Sequence, residues 1–228
     1  MNDNNNIVRI KAVYNALEDL GKSVVFVGGA TVSLYKDRPA SETRITDDVD
    51  IVVELLRYAD YASIEEQLRK KGFINDMKSG IICRYKINGI VVDVLPTNQN
   101  ILGFKNQWYT DGFKNSIEYP LTENESVRIF SSIYFIASKL DAFNDRGKND
   151  GRTSSDFEDI VYILNNRTTI WEEILNAPVP VRLYLKKEFQ KLVAQDNLYE
   201  WISANLEYSE QRRVNYILGG LIDFIGKG

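Results

Sequence analysis

The chain of 228 residues contains no histidine. That absence excludes Ser-His-Asp and Cys-His nucleophilic schemes, and every histidine-ligated zinc site. Acid–base or metal chemistry then falls to carboxylates, lysine, tyrosine or arginine. A site built only of oxygen ligands favours magnesium or manganese over softer metals. Cysteine is scarce too: Cys83 is the single thiol and sits inside an apolar run. No disulfide framework can exist, and Cys83 reads as a small strand residue. No apolar run approaches the roughly 20 residues that cross a bilayer. The first residues, Met-Asn-Asp-Asn-Asn-Asn, have neither the basic nor the apolar region of a signal peptide. A cytoplasmic location without a membrane partner is the expectation. An excess of basic charge is also missing. The net charge of -4 gives no global attraction to nucleic acid, which would need a local basic patch.

What is present describes a globular protein. The 44% of hydrophobic residues and 26% of charged ones argue against disorder, and the length can bury a real core. Ile7, Ile10, Val13, Tyr14, Leu17 and Leu20 recur at helical spacing, with Gly21 as the stop. Val24 to Val27 reads as a short buried strand. After Gly28-Gly29, Ala30 to Tyr35 reads as a helix start, and Lys36 to Thr43 as a polar loop. Val49 to Glu54 is a second strand, followed by a helix with Ile64 and Leu68 inward that ends at Gly72. Ile81 to Ile87 and Ile90 to Leu95, joined by Asn88-Gly89, predict a type I′ hairpin closed by Pro96. Asn98 to Asn124 lacks a period and reads as loop with a short strand around Ile117.

Val127 to Phe130 predicts another strand. A helix follows from about Ser132, with Ile133, Ile136, Leu140 and Phe143 on one face. Ser155-Asp156-Phe157-Glu158 and Thr169-Ile170-Trp171-Glu172 read as capping boxes. From Pro180 onward the pattern is helical, with Leu183, Phe189, Leu192, Trp201, Ile217, Leu221 and Phe224 as core. Beyond the Asn-rich first residues there is no low-complexity segment. The class that results is α+β (α/β-like). A small mixed sheet flanked by helices covers 1–130, and a helical region covers 131–228.

The residues that bear chemistry cluster in this frame. The apolar run Val24–Val27 ends in Gly28-Gly29, a turn whose backbone N–H groups can meet a phosphate. Downstream, Arg44-Ile45-Thr46-Asp47-Asp48-Val49-Asp50 places Asp48 and Asp50 two apart, so on one face of a strand. Asp93 is a charge inside the apolar strand Ile90–Leu95, costly to bury unless paired or metal-bound. If the two strands are neighbours, three carboxylates converge as metal ligands, and one can also act as general base. Alternatively Asp93 pairs with a Lys or Arg at a sheet edge, and Asp48 and Asp50 serve an N-cap or surface turn. Lys139, Ala142 and Arg146 share a helix face, and a lysine at a core boundary can neutralise phosphate oxygens. Asp156 and Asp159 can orient Lys139 or Arg146; ordinary helix-face ion pairing is the plainer reading.

Taken in order, Gly28-Gly29-Ala30, Arg44-x-Thr46-x-Asp48-x-Asp50, Asp93, Lys139-x-x-Ala142-x-x-x-Arg146 and Asp156-x-x-Asp159-Ile160 resemble the nucleotidyltransferase superfamily. Within it they are similar to the AbiEii/MenT-like group, the toxin components of type IV toxin–antitoxin systems. The resemblance covers roughly Val24 to Asn166. It implies a nucleotidyltransferase-type sheet flanked by helices, Mg²⁺ or Mn²⁺, and an NTP as donor of NMP to an acceptor hydroxyl. Gly28 and Gly29 would hold phosphates, and Asp48, Asp50 and Asp93 would be the metal-binding catalytic triad. Lys139 would contact the triphosphate, while Arg44, Thr46, Arg146, Asp156 and Asp159 would be supporting or substrate-side. Many superfamily members carry Gly-Ser where this chain has Gly28-Gly29, with the serine hydroxyl helping to bind phosphate. Thr31 or Ser33 would substitute as nucleotide-binding hydroxyls, though at another spacing, and Gly-Gly is common in the AbiEii-like group.

The implied acceptor is RNA, particularly a tRNA 3′ end, with an antitoxin protein as a further partner. Arg182, Lys186, Lys187, Lys191, Arg212 and Arg213 could contact a phosphate backbone, or form a solvated helix face. A small-molecule or protein hydroxyl is the other acceptor class. A non-catalytic nucleotide- or antitoxin-binding module of the same fold is the alternative outside enzymes.

Overall fold

The computed structural model describes residues 2–55, 58–98, 101, 106–148 and 150–227. Parts of the expected 98–124 loop, residues 99, 100 and 102–105, lie outside the described residues. The chain divides into two compact units: Met1–Leu34 with Glu42–Ser131, and Tyr35–Ser41 with Ser132–Gly228. The class is α+β. The polar loop after Tyr35 belongs with the helical unit because its backbone finds partners there. Asp37 N–H donates to Asn166 O at 3.1 Å, Tyr162 Oη donates to Ser41 O at 3.1 Å, and Arg38 donates to Asn165 O at 3.2 Å.

In the first unit, α1 (Asn2–Leu17) runs into a 3₁₀ segment, Glu18–Ser23. Then follow β1 (Val24–Val27), a 3₁₀ segment from Gly29 to Tyr35, β2 (Asp48–Val53), α2 (Tyr58–Lys70) and β3 (Ile74–Asn75). The remaining elements are β4 (Arg84–Ile87), β5 (Ile90–Pro96), α3 (Tyr109–Lys114), β6 (Ile117–Pro120) and β7 (Ser126–Ile129). The strands form one sheet in the order β3-β4-β5-β2-β1-β7-β6. All four β1 residues are apolar and buried, as expected of a strand covered on both faces. β1 pairs antiparallel with β2 and parallel with β7, and β2 pairs parallel with β5.

The hairpin joining β4 and β5 follows its turn chemistry. Asn88 and Gly89 both take positive φ, 49° and 78°, as a type I′ turn requires. That two-residue turn sets the register and puts Arg84 directly opposite Asp93. β4 starts at Arg84 rather than Ile81, because Ile81 and Ile82 lie in a preceding turn and face solvent. Pro96 is the last residue of β5, opposite Val53.

The Asn-rich start is structured. Asp3 and Asn6, one helical turn apart on α1, are both buried. Asp3 Oδ1 accepts from the N–H and hydroxyl of Thr43, each at 2.8 Å. Asn6 donates to Arg44 O at 3.0 Å and accepts from Thr46 N–H at 3.3 Å, while Arg9 donates to Thr46 O. A segment without regular structure is thereby fixed just before β2.

The second unit contains α4 (Ser132–Arg146), α5 (Ser155–Asn166), α6 (Ile170–Leu175), α7 (Val179–Val193), α8 (Leu198–Ala204) and α9 (Arg213–Lys227). A short 3₁₀ turn, Tyr208–Glu210, precedes α9. From Tyr134 to Leu140 every residue of α4 is buried, so it is a central helix rather than a one-faced one. Two capping expectations are corrected. The cap of α5 is Ser154, whose hydroxyl accepts from Phe157 N–H, not Ser155. Thr169 makes no side-chain cap; its hydroxyl donates to Glu173 at 2.6 Å.

Leu183 is 57% exposed and is not core. The buried stripe of α7 runs through Val181, Leu185, Phe189 and Leu192, and a residue two places from both Val181 and Leu185 points away from it. The other expected core residues of this region are buried.

Asn6→Ala should lower the stability of the protein by about 1–3 kcal/mol in urea denaturation, since Arg44 O and Thr46 N–H lose a buried partner.

Candidate metal centre

Register alone assembles the acidic site. Asp50 lies beside Asp93 in the parallel β2–β5 pair, and Asp48 is two residues before Asp50 on the same face. Each of the three offers a carboxylate oxygen, and these atoms lie within 4.8 Å of one another. No other such trio of His, Cys, Asp or Glu occurs among the described residues. An all-oxygen, triply anionic donor set suits a hard divalent cation. The sequence expectation that the carboxylates converge is met.

The glycine pair is shaped by this site. Gly28 follows Val27, whose β2 partner is Asp50. A Cβ on Gly28 would lie 1.9 Å from Asp50 Oδ2, and its φ of +73° is one that side chains resist. A Cβ on Gly29 would lie 2.6 Å from Arg44 Nη2 and 2.7 Å from Thr46 Cγ2. A serine at that position has no room, because the Arg44 and Thr46 side chains already fill it. Arg44 therefore brings a guanidinium to the glycine turn where a hydroxyl was expected. Thr46 is buried; its hydroxyl donates to Asp48 O at 3.0 Å and so pins the start of β2.

Both nearby hydroxyls are buried. Thr31 is fully buried and its hydroxyl donates to Gly28 O at 2.9 Å, closing the turn. Ser33 is also buried, and its oxygen has no hydrogen-bond partner among the described residues.

Arg84 is the site residue that the motifs missed. Its Nε donates to Asp93 Oδ1 at 2.8 Å and its Nη2 to Asp93 Oδ2 at 2.7 Å, a bidentate pair. The same Nη2 reaches Asp48 Oδ2 at 3.1 Å. The hydrogen bonds that Arg84 donates to Asp93 raise its pKa above the ordinary guanidinium value, reinforced by the charges of Asp93, Asp48 and Asp50. The signal was available: in a two-residue hairpin turned at Asn88-Gly89, residue 84 must oppose residue 93. The pairing of Asp93 with an arginine and its membership of the triad thus coexist. The strand is an interior one, not an edge. Adjacent Cys83 is buried, and burial, helped by the charge of Asp93, pushes its thiol up to about 12. It lies in the turn just before β4 rather than in a strand, and its burial and raised pKa leave it unreactive.

Lys139, Arg146, Asp156 and Asp159 belong to the second unit and form one network there. Lys139 Nζ lies 3.0 Å from Asp156 Oδ1 and 2.6 Å from Asp159 Oδ2, with all three residues buried. The more exposed Arg146 grips both oxygens of Asp156, at 2.7 and 2.9 Å. Burial opposes the charge on Lys139, but Asp159 and Asp156 overcome it, so its pKa is raised. Burial likewise works against the Asp156 carboxylate, yet Arg146 and Lys139 hold it below the usual range. The ammonium expected to meet a triphosphate is thus committed to two buried carboxylates.

The candidate basic face is only partly available to a ligand. Arg213 donates to Asn165 O at 2.6 Å and lies over Tyr216, Arg182 donates to Leu175 O, and Lys191 pairs with Glu188. Among the described residues no helix is long and apolar enough to cross a membrane. No protein-family model matches the chain, and no curated protein matches it either.

Gly28→Ala should cost stability by about 1–2 kcal/mol from the left-handed backbone alone, plus whatever moving Asp50 adds; thermal denaturation reads it. Lys139→Met should cost about 3–5 kcal/mol, because it removes the ammonium that the buried Asp156 and Asp159 carboxylates share. The lowered pKa of Asp156 means its pairing stabilises above the ordinary carboxylate range and is lost as pH falls through the folded value. Stability measured downward from about pH 5 should therefore fall, and less steeply in Asp156→Asn.

Proposed function

We propose that this chain is a metal-dependent nucleotidyltransferase that moves an NMP from an NTP to an acceptor hydroxyl. The observation that carries the reading is the convergence of Asp48, Asp50 and Asp93, with carboxylate oxygens within 4.8 Å of one another, beside a glycine turn. The ordered motifs that resemble the AbiEii/MenT-like group add to it. The donor set fits Mg²⁺ or Mn²⁺, held by Asp48, Asp50 and Asp93. When bound, such an ion neutralises charge on the transferring phosphate and its leaving group.

The protein residues supply the rest. The Gly28-Gly29 turn and the Arg44 guanidinium face the phosphates. The acceptor oxygen bonds to the α-phosphorus, the bond from that phosphorus to the bridging oxygen breaks, and pyrophosphate leaves with its electron pair. Asp93 takes the hydroxyl proton on an oxygen that keeps a free lone pair beside its hydrogen bond from Arg84. Lys139 contributes by holding Asp156 and Asp159 rather than the triphosphate. RNA is the acceptor class the resemblance favours, with a toxin role and an antitoxin partner following from it. A non-catalytic nucleotide- or antitoxin-binding module is the second reading, favoured by the satisfied Arg84–Asp93 pair.

Incubation with each labelled NTP, Mg²⁺ and total RNA or lysate should label a product, and a gel separates RNA-bound from protein-bound label. Asp48→Asn or Asp50→Asn should cut labelling by at least about 100-fold, the upper end of what even outer-shell changes cost at metal sites. Thermal stabilisation by NTP and Mg²⁺ without labelling by any nucleotide would favour the non-catalytic reading.

A further inference from the structure

Arg84 is placed by the hairpin, not by chance of side-chain reach. Its strand position is opposite Asp93, whose other neighbour in the sheet is Asp50, so the row Asp50–Asp93–Arg84 crosses three adjacent strands. Three of its N–H groups point at the triad: two grip the two oxygens of Asp93, and the third contact goes from the shared Nη2 to Asp48 Oδ2. Nη2 therefore bridges one oxygen each from two of the three carboxylates. A divalent ion shared by Asp48 and Asp93 would draw on those same carboxylates at about 2.0–2.6 Å. It also carries the same sign of charge as the guanidinium, which at such separations is repelled strongly even with partial solvent screening. The arginine side chain is only partly buried, so it has somewhere to go.

We propose that Arg84 is the resident counter-ion of the triad and that a divalent cation binds by displacing its guanidinium from Asp48 and Asp93. This rests on the metal-site reading of the triad. In the absence of metal, Arg84 holds the carboxylates together against their mutual repulsion. In its presence, the same arginine is tethered by β4 at the edge of the site, still charged and released from two partners. Metal affinity is thereby set by a competition within the protein and not by the carboxylates alone.

Mn²⁺ binding to the intact protein, followed by calorimetry and by the paramagnetic signal of free Mn²⁺, tests this. Arg84→Met should bind Mn²⁺ about tenfold tighter or more, given the strength of a bidentate charge-assisted pair, and Arg84→Lys, which loses the planar fork but keeps the charge, should fall between. Asp50→Asn should lose the ion in either background. Equal or weaker affinity in Arg84→Met, with Asp50→Asn still abolishing binding, overturns the displacement and leaves the metal site standing. Absence of Mn²⁺ binding in all variants overturns both. Should Arg84→Met fail to fold, the Nε–H resonance of Arg84 in the unaltered protein decides: it should move as Mg²⁺ is added, and an unmoved resonance under conditions where Mn²⁺ is bound overturns the proposal.

Discussion

Like-charge repulsion on one face of the sheet is the constraint around which the first unit is organised. Two carboxylates about 4 Å apart oppose each other by about 4 kcal/mol at the effective dielectric of a protein surface. Asp48, Asp50 and Asp93 have oxygens within 4.8 Å of one another, so the fold must supply opposite charge and strong backbone support. Arg84 supplies the charge, on a strand whose register comes from a two-residue turn. Backbone support comes from the parallel β2–β5 pairing and from α1, whose Asp3, Asn6 and Arg9 hold the segment leading into β2. Gly28 is part of the same solution, because only a residue without Cβ leaves room for the Asp50 carboxylate.

The second unit solves a related problem in the opposite way. Here three of the four charged groups are buried, and balance comes from stoichiometry: buried Lys139 and the more exposed Arg146 against Asp156 and Asp159. A buried set of this kind contributes little net stability over apolar packing but is severely damaged when one member is removed. Around it, Phe143, Phe157 and Trp201 stack edge and face against one another, sealing the helices that carry the charges. The motif residues of this unit thus pair with one another. A buried lysine whose Nζ already meets two carboxylates differs in its surroundings from Arg84, whose side chain is only partly buried.

Much of this was legible in residue order. β1, β2, the Asn88-Gly89 hairpin, the strand near Ile117 and the helix from Ser132 follow from apolar runs and turn chemistry. Asp93 stood out because a charge inside an apolar strand must be accounted for. Other features were hidden by features that mimic something else. Ile81 and Ile82 look like strand but lie in a turn, Leu183 looks like core but falls off the buried stripe of α7, and the Asn-rich start looks like low complexity. Short elements such as β3 and α3 have too few residues to show a period. The crowding behind Gly29, where Arg44 and Thr46 occupy the space of a side chain, has no one-dimensional signature at all.

By itself the sequence determined the chemistry available: without histidine and with one cysteine, only oxygen ligands, and an Asp pair two apart on a strand that must share a face. It also determined the opposition of Arg84 and Asp93, since a type I′ turn admits one register. Only the tertiary structure decided that β2 and β5 run side by side, because parallel pairing is set by the packing of a long crossover and not by either strand's residues. It alone decided that Lys139 is buried against two carboxylates while Arg84 is only partly buried. Burial and partner choice depend on which elements meet, and local pattern carries no record of that.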